Sequence, residues 1–313
     1  FIMNNKYQNI LIIKLGALGD FILCTGPFKA IREYHKNSKI TLLTTPTFAP
    51  MAKKTGWFDQ IHIDTKPKVF NFREWLKLRK FFNDTCWSRI YDLQHNDRTS
   101  IYFKFLNKPK PEWSGIEKNC SHLHNNPERD KLHTIERQIE QLQITGINNI
   151  PETDISWLKG DIRAFNIPKK YALIVPGGAF HRKNKRWPER EYIKLSQYLL
   201  KKNIIPILIG TKTEHDVTKK ISKASEKIIN LNNRTSLDQI ASLGRNATIS
   251  IGNDTGPMHI LAATGSPTLV IFSGESKPSE TAPRGVRTDI IQSLDIKNLF
   301  FENILGNIEK LLV

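Results

Sequence analysis

The sequence has few cysteines, no long apolar run and no recognisable secretory leader. Its three cysteines, Cys24, Cys86 and Cys120, form no Cys-x-x-Cys pair, so we expect free thiols, with neither disulfides nor a zinc site. No apolar stretch approaches the roughly 18 residues that are needed to cross a bilayer. Residues 1–9 lack the apolar segment of a secretory leader. These absences predict a soluble, cytoplasmic protein.

Metal and dinucleotide signatures are also missing. The chain contains no Asp-x-Asp pair, no His-Glu-x-x-His motif and no tight His/Cys cluster. The Gly-x-Gly-x-x-Gly spacing of dinucleotide-binding loops is absent as well. The sequence therefore predicts neither a bound metal nor a cofactor.

Acidic residues are scarce relative to basic ones. The chain has 47 Lys and Arg against 30 Asp and Glu, a formal net charge of +17. The excess is spread over both halves, which suits a broad surface that faces an anion. Charge alone leaves nucleic acid, anionic lipid and a phosphorylated substrate open. Because no nucleic-acid-binding module is recognisable, we expect no nucleic-acid partner.

Short β-branched runs alternate with helical patterns twice along the 313 residues. Near-continuous apolar strands separated by helices are typical of parallel sheets covered on both faces. Two such blocks predict two doubly wound α/β domains. The predicted strands are Asn9–Lys14, Lys39–Thr45, Gln60–Ile63, Arg89–Leu93, Tyr171–Val175, Ile204–Ile209, Ile228–Leu231, Thr248–Ile251 and Thr268–Phe272. The predicted helices of the first block are Phe21–Tyr34, Phe72–Phe82 and Arg98–Leu106.

A stretch with prolines and a glycine at residues 151–168 separates the blocks. We therefore place the boundary near residue 160, which gives domains 1–160 and 161–313. Ligands of such sheets bind at the carboxyl ends of the strands, here predicted to be an interdomain cleft. Residues 107–131 are rich in Pro, Asn, Lys and Ser, and predict a long loop.

The first candidate motif joins the first strand to the first helix. Residues 14–20 read Lys-Leu-Gly-Ala-Leu-Gly-Asp. Glycines at such a turn allow the backbone to approach a ligand closely. Asp20 stands where the helix is expected to begin, and two interpretations stay open. It is either an N-cap that accepts amide hydrogens of the first turn, or a general base that takes a proton from an acceptor hydroxyl.

The second motif is a polar turn between a strand and a helix. Residues 250–259 read Ser-Ile-Gly-Asn-Asp-Thr-Gly-Pro-Met-His. Pro257 is typical of the first helical position, which leaves the next two amides free. Free amides and the helix dipole form an anion site, to which Thr255 and Gly256 add a hydroxyl and close access. A well-capped helix without a ligand is the alternative, and Asp254 either binds substrate hydroxyls or stiffens the turn.

The third motif is a basic loop at residues 176–188, closed by Trp187-Pro188. A basic loop is often only solvated, but this one follows a strand end, so Lys185 is a candidate for pairing with a leaving diphosphate. Metal-dependent sugar transferases commonly neutralise the negative charge of the leaving diphosphate with a divalent ion held by an Asp-x-Asp pair. A lysine and a helix start perform the same electrostatic task without a metal.

Residues 72–82 mix aromatic and basic side chains on a predicted helix. Such a helix either lies on a membrane surface or packs its apolar face on the sheet. The sequence alone leaves both interpretations open.

With these motifs in order, the chain resembles glycosyltransferase family nine, the bacterial heptosyltransferases that build the lipopolysaccharide inner core. The resemblance covers nearly the whole length and rests on residues 15–20, 185–188 and 252–259. It implies a GT-B fold, with the acceptor bound mainly by the first Rossmann-like domain and the sugar nucleotide by the second. It also implies an inverting, metal-independent transfer from an ADP-heptose-type donor to an anionic lipid-linked or glycan acceptor. The last helix, 295–312, is expected to return across the first domain.

The resemblance further implies roles for single residues. Asp20 matches the catalytic base and Lys185 the phosphate-binding lysine. Glu214 lies near the ribose-contacting acid, and Thr235 where the backbone touches the adenine. The residues that match the donor-binding turn are Asp254, Thr255, Gly256, Pro257, Met258 and His259. Gly19 and Arg98 are the candidate acceptor contacts.

The chain departs from the family pattern at residues 180–182. Many members carry Ser or Thr there as a phosphate contact, whereas this chain reads Phe-His-Arg. His181, together with Gly178, is therefore the candidate donor contact in this loop. The departure leaves open a transferase of the same fold with another sugar nucleotide, or with a protein or capsular-glycan acceptor.

Overall fold

Two parallel sheets organise the chain, and each belongs to its own compact unit. The computed structural model describes residues 8–178 and 186–313. The first unit comprises Phe1–Asp154 and the second Ile155–Val313. The predicted boundary near residue 160 and the predicted return of the last helix stay predictions.

The first unit is a six-stranded sheet with helices, as far as the described residues show. Its strands are β1 (Asn9–Ile13), β2 (Lys39–Thr44), β3 (Gln60–Ile63), β4 (Trp87–Asp92), β5 (Glu112–Gly115) and β6 (His122–Leu123). Its helices are α1 (Leu18–Leu23), α2 (Thr25–Tyr34), α3 (Ala49–Thr55), α4 (Phe72–Asp84), α5 (Asp97–Phe105) and α6 (Thr134–Ile144). All neighbouring strands are parallel, in the order β3-β2-β1-β4-β5-β6.

The second unit repeats this architecture outside the undescribed stretch 179–185. Its strands are β7 (Tyr171–Val175), β8 (Ile205–Leu208), β9 (Ile229–Asn230), β10 (Ile249–Asn253), β11 (Thr268–Ser273) and β12 (Thr288–Ser293). Its helices are α7 (Glu189–Lys201), α8 (His215–Ser222), α9 (Leu237–Asn246), α10 (Gly256–Ala263), α11 (Pro278–Thr281) and α12 (Phe301–Leu312). The strands are again parallel, in the order β12-β11-β10-β7-β8-β9.

The burial of the strands explains why the sequence forms these sheets. All five residues of β7 and four of the five of β1 are buried. An apolar strand of this kind is stable only where helices cover both faces of the sheet. Counted within its own unit, each sheet has the strand order 3-2-1-4-5-6 of a Rossmann fold. The predicted α/β class with two doubly wound domains is confirmed.

The predicted loop at residues 107–131 is wrong, because β5 and β6 lie inside it and extend the first sheet. Both strands are short, and β5 reads Glu-Trp-Ser-Gly, without a β-branched residue. Their extended conformation comes from tertiary contacts, because β5 pairs with β4, β6 pairs with β5, and Trp113 of β5 is buried. Strand β12 was likewise not predicted; its residues are partly exposed at the edge of the second sheet.

The predicted helix Phe21–Tyr34 is two helices, α1 and α2, which are separated at Cys24. Proline inside a helix removes a hydrogen bond and clashes with the preceding turn. The restart at Thr25 places Pro27 in the first turn of α2, where proline is tolerated.

Helix α12 packs its apolar face into the core of the second unit. Its buried side chains are Phe301, Ile304, Ile308 and Leu311. Within the part of the chain that the structure describes, no helix combines the length and apolarity needed to traverse a bilayer.

Candidate active site

A cavity of about 490 Å³ lies at the carboxyl edge of the first sheet. The loops that follow β1, β2, β3 and β4 line it, because carboxyl ends of parallel strands meet at one edge. The polar and charged side chains in the lining are Asp20, Thr45, Thr47, Asp64, Thr65, Lys66 and Gln94. Gln94 Oε1 accepts the backbone N–H of Leu15 at 2.7 Å, which joins the loops after β1 and β4.

Asp20 occupies the third position of α1 rather than the predicted N-cap position, which Ala17 holds. Its carboxylate accepts the N–H of Ala17 at 3.1 Å. The side chain therefore caps the helix from inside its first turn, and it also lines the cavity. The two interpretations of Asp20 are compatible in space, since one carboxylate has lone pairs for the amide and for a ligand.

Asp64, directly after β3, is a second acid in the lining, and it is buried. Its Oδ1 accepts the N–H of Lys66 at 2.7 Å, and the hydroxyl of Tyr102 donates a short hydrogen bond to Oδ2. Burial and this carboxylate raise the pKa of Tyr102. Asp64 holds its loop in place; the signal in the sequence was an aspartate at a predicted strand end.

The two candidate acceptor contacts do not line this cavity. Gly19 is buried within α1. The Arg98 guanidinium lies 4.9 Å from the ring of Trp75 and donates to the carbonyl of Pro67 at 2.9 Å. Arg98 therefore holds the loop before α4, and both acceptor assignments stay predictions.

Asp92, the last residue of β4, is a buried acid beneath this edge. Its Oδ1 accepts the N–H groups of Gln94 and His95, at 3.0 and 3.2 Å. Burial raises the pKa of Asp92 to about 6, although these hydrogen bonds and the nearby Lys14 ammonium act in the opposite direction.

In the second unit, four loops meet at the carboxyl ends of adjacent strands. They follow β10, β7, β8 and β9, which are neighbours in this order. Each loop carries a predicted donor contact: Asp254, Gly178, Glu214 and Thr235 respectively. The parallel register thus brings these assignments to one edge of the sheet.

Asn253 joins two of these loops through four hydrogen bonds. Its Oδ1 accepts the N–H of Trp187 at 3.1 Å and the hydroxyl of Tyr192 at 2.9 Å. Its Nδ2 donates to the carbonyls of Pro176 at 2.9 Å and Gly177 at 2.8 Å. The residue is fully buried. Sequence reasoning missed Asn253; the available signal was an amide at a strand end within the Gly-Asn-Asp-Thr-Gly motif.

The start of α10 differs in detail from the prediction. The helix begins at Gly256, so Pro257 is its second residue. The amide of Met258 donates to the carbonyl of Thr255 at 3.1 Å, so the prediction that it is free is wrong. The cause is a tight first turn. Gly256 is the first residue of the helix, so its amide has no acceptor within the helix. The buried Thr255 Oγ1 has no hydrogen-bond partner among the described residues.

Two further residues of this turn are held by the protein. Asp254 Oδ2 accepts the hydroxyl of Ser276 at 2.8 Å, which ties the turn to the loop after β11. This contact fits the interpretation that Asp254 stiffens the turn. His259 is buried in the first turn of α10.

Glu214 is a buried carboxylate that serves its own loop. Its Oε2 accepts the N–H and the hydroxyl of Thr211, at 2.8 and 2.6 Å, and its Oε1 accepts the hydroxyl of Thr213 at 2.6 Å. Burial alone would raise the pKa of Glu214, but these hydrogen bonds and the Arg186 guanidinium outweigh it and lower that pKa. Arg186 Nη2 lies 3.8 Å from Glu214 Oε1 and donates to the carbonyl of Gly178 at 2.8 Å.

Arg186 is a second residue that sequence reasoning did not assign. It is the described cation nearest in sequence to Lys185, and its guanidinium lies at the edge formed by the loops after β7 and β8. Thr235 Oγ1, in the loop after β9, is buried without a hydrogen-bond partner within residues 8–178 and 186–313. The two predictions on His181 and Lys185 fall outside the described residues. In the described ranges, no three His, Cys, Asp or Glu side chains gather as a metal site would require.

Comparison with known proteins finds curated relatives that are heptosyltransferases. The curated lipooligosaccharide heptosyltransferase 2 of Haemophilus ducreyi is 33% identical over 117 residues, which are 36% of this chain and 34% of that protein. The chain thus spans about a third of the length of this relative. The lipopolysaccharide core heptosyltransferase OpsX of Haemophilus influenzae is 21% identical over 298 residues, 88% of this chain and 82% of that protein.

Solved structures share the fold over the whole chain. The family 9 glycosyltransferase from Veillonella parvula superposes with a TM-score of 0.81 at 16% identity, covering 99% of this chain and 98% of that one. Escherichia coli heptosyltransferase WaaC with ADP-2-deoxy-2-fluoro heptose gives 0.76 at 16%, covering 97% and 99%. The iron-containing dodecameric glycosyltransferase TibC from enterotoxigenic E. coli gives 0.58 at 14%, covering 98% and 76%.

The sequence model of the family described as "Glycosyltransferase family 9 (heptosyltransferase)" matches residues 120–301. The match runs from the end of the first unit through the four loops at the carboxyl edge of the second sheet. It includes more than half of the chain. The resemblance inferred from the motifs is confirmed: the chain belongs to glycosyltransferase family 9 (heptosyltransferase).

Proposed function

We propose that this protein transfers a heptose from ADP-heptose to an anionic acceptor of the lipopolysaccharide inner core. Family membership supports the reaction class. The named relatives are lipopolysaccharide or lipooligosaccharide heptosyltransferases, and one structural neighbour holds an ADP-heptose analogue. The observation that carries the proposal is the start of α10, where a buried hydroxyl without a partner stands beside a helix amide.

On the donor side, the second unit offers groups that stabilise a leaving diphosphate. The Thr255 hydroxyl and the Gly256 amide would donate to phosphate oxygens, and the helix dipole adds positive potential. Asn253 holds the loop after β7 in position by donating hydrogen bonds to the carbonyls of Pro176 and Gly177. Lys185 is the proposed phosphate-pairing cation, and Arg186 places a second positive charge at the same loop.

On the acceptor side, Asp20 is the proposed general base. Its carboxylate lines a cavity large enough for a sugar ring and is oriented by the Ala17 amide. The acceptor hydroxyl would lose its proton to Asp20 while its oxygen bonds to the anomeric carbon and ADP departs. A single displacement inverts the anomeric centre and requires no covalent intermediate, as in inverting hydrolases.

The proposed reaction needs no metal, because fixed cations and a helix start neutralise the leaving group. TibC, an iron-containing structural neighbour, makes this point worth testing. We expect full turnover in excess EDTA, and a strict requirement for a divalent ion would contradict the scheme.

The test is a transferase assay with purified protein, ADP-heptose and a Kdo-containing acceptor. Asp20→Asn keeps an oxygen for the Ala17 amide but cannot accept a proton, so turnover should fall about 100- to 10,000-fold. Asp97→Asn, an exposed first-turn acid of α5, is the matched control and should retain turnover. Equal activity of the Asp20 variant would refute the role of the base.

A separate binding experiment decides between classes of sugar-nucleotide donor. A same-fold transferase with another sugar nucleotide, or with a protein or capsular-glycan acceptor, is the alternative from the sequence departure at residues 180–182. Calorimetric titration with ADP-heptose, UDP-hexoses and GDP-hexoses distinguishes these donors. Tight binding of a UDP-sugar without binding of ADP-heptose would overturn the donor assignment.

The net charge of +17 suits an acceptor that carries phosphates and carboxylates. We propose that the protein works in the cytoplasm, where nucleotide sugars are available, and that its acceptor is lipid-linked. A nucleic-acid partner is not part of the proposal.

A further inference from the structure

Four large apolar side chains are exposed together between β3 and the middle of α4. Val69 is 75% exposed, Phe70 86%, Phe72 71% and Leu76 61%. Phe72 and Leu76 are four residues apart on a helix and therefore share one face. We call these four residues the apolar patch. A folded protein rarely exposes neighbouring aromatic and aliphatic side chains without a partner for them.

The helix of the patch is already packed through its other face. Leu78 and Phe82 are buried in the first unit, and the Trp75 ring contacts Phe105 at 5.7 Å. The sequence interpretation that α4 packs on the sheet holds for this face. Trp75 faces inward and is no membrane anchor, and the patch residues remain outside the core.

The loop that carries Val69 and Phe70 is held by hydrogen bonds. Arg98 donates to the carbonyl of Pro67 at 2.9 Å, and the Trp75 indole donates to the carbonyl of Lys68 at 3.1 Å. The protein therefore fixes this loop by its backbone and leaves the two apolar side chains at the surface.

The surroundings of the patch are strongly basic. Residues 66–80 contain six Lys or Arg and one acid, Glu74. Lys77 pairs with Glu74 and Lys80 with Asp84. The remaining four cations make no ion pair among the described residues; they are Lys66, Lys68, Arg73 and Arg79. The core of a protein interface is depleted in lysine, whereas exposed aromatics flanked by Lys and Arg are typical of interfacial membrane binding.

We propose that the apolar patch and its flanking cations dock on an anionic lipid bilayer. The apolar patch enters the boundary between the lipid headgroups and the acyl chains, and the flanking cations contact lipid phosphates. Lys66 connects this surface to the candidate site, since it also lines the cavity that contains Asp20. The docking extends the proposed function, because a lipid-linked acceptor at that surface would present its sugars to this cavity.

The test is co-sedimentation of the protein, without substrates, with vesicles of equal parts phosphatidylcholine and phosphatidylglycerol. Phe70→Ser/Phe72→Ser should reduce the partition coefficient about tenfold or more. Lys68→Glu/Arg73→Glu should reduce it about fivefold per removed charge, and added salt should weaken wild-type binding. Vesicles of phosphatidylcholine alone should bind weakly.

Val286→Ser/Leu294→Ser is the matched control, because both side chains are about as exposed, at 90% and 92%, but lie in the second unit. Its vesicle binding should equal that of the wild type. Thermal unfolding of the patch variant should be unchanged, since exposed side chains contribute little to folding.

Three results would overturn the proposal. One is wild-type protein that does not sediment with anionic vesicles, and another is equal binding of wild type and the Phe70/Phe72 variant. The third is a wild-type dimer in light scattering that the patch variant does not form, which would assign the patch to a second copy. Vesicle binding without any heptosyl transfer would leave the docking intact and refute the proposed function alone.

Discussion

Replacement of Asn253 by aspartate tests whether one buried amide holds the donor-side loops together. Asp keeps the size of the side chain and the Oδ1 acceptor for Trp187 and Tyr192. It removes the Nδ2 donor, so an oxygen would face the carbonyls of Pro176 and Gly177. The change therefore removes two hydrogen bonds and, where the acid is ionised, adds a negative charge in a fully buried place.

The expected loss of stability follows from these two bonds. A buried acceptor without its donor costs about 1–3 kcal/mol, so two cost about 2–6 kcal/mol. A domain is usually stable by only about 5–15 kcal/mol, so the loss should be large. At low pH the protonated acid regains one donor, and the destabilisation should be smaller at pH 5 than at pH 8.

Urea unfolding followed by circular dichroism at both pH values measures this loss, and calorimetry with ADP measures the effect on binding. Asn246→Asp is the control, since Asn246 is exposed at the end of α9 and should change stability by under about 0.5 kcal/mol. If Asn253→Asp lowered stability by less than about 1 kcal/mol, the loop-joining role of this amide would be refuted.

Two further predictions concern single polar groups. Asp92 has a folded pKa of about 6, above its ordinary value of 3.8, so its stabilisation is complete below about pH 4 and is lost as pH rises through 6. In urea titrations, the free energy of unfolding of the wild type should therefore fall by on the order of 3 kcal/mol between pH 4 and pH 8, relative to that of Asp92→Asn. If the free energies of unfolding of the two proteins changed in parallel with pH, the raised pKa would be contradicted. Thr255→Val should weaken ADP binding about tenfold or more, because a hydrogen bond to a charged group is lost, without lowering the melting temperature. Unchanged ADP affinity in calorimetry would remove Thr255 from the donor site.

Strands β1 and β7 could be predicted because their residues are buried on both faces of the sheet, whereas β3 was predicted although its residues are partly exposed. β1 and β7 are continuous apolar runs, and the sequence alone locates them. β5 could not be predicted, because it is short, has no β-branched residue, and becomes extended by pairing with β4. The division of one predicted helix into α1 and α2 was visible in principle, since Pro27 cannot stand in a helix interior.

The candidate site shows the same division between local and tertiary information. Motifs next to strand ends located Asp20 and Thr255, since the carboxyl edge of a parallel sheet is a ligand-binding edge. The sequence did not reveal that Asn253 bonds to four distant groups, or that the Met258 amide is used within the first turn of α10. Such bonds depend on the three-dimensional approach of separate segments.

Arg98 and Trp75 hold residues 66–71 by side-chain hydrogen bonds to the carbonyls of Pro67 and Lys68, which we call the clamp. Ordering a free loop costs about 1–2 kcal/mol per residue in conformational entropy. Because the clamp orders this loop during folding, attachment to a surface does not incur that cost again. Membrane affinity then depends on Arg98, a residue outside the apolar patch. Loss of its hydrogen bond to the Pro67 carbonyl would keep Val69 and Phe70 in the chain but would no longer hold their loop in one conformation.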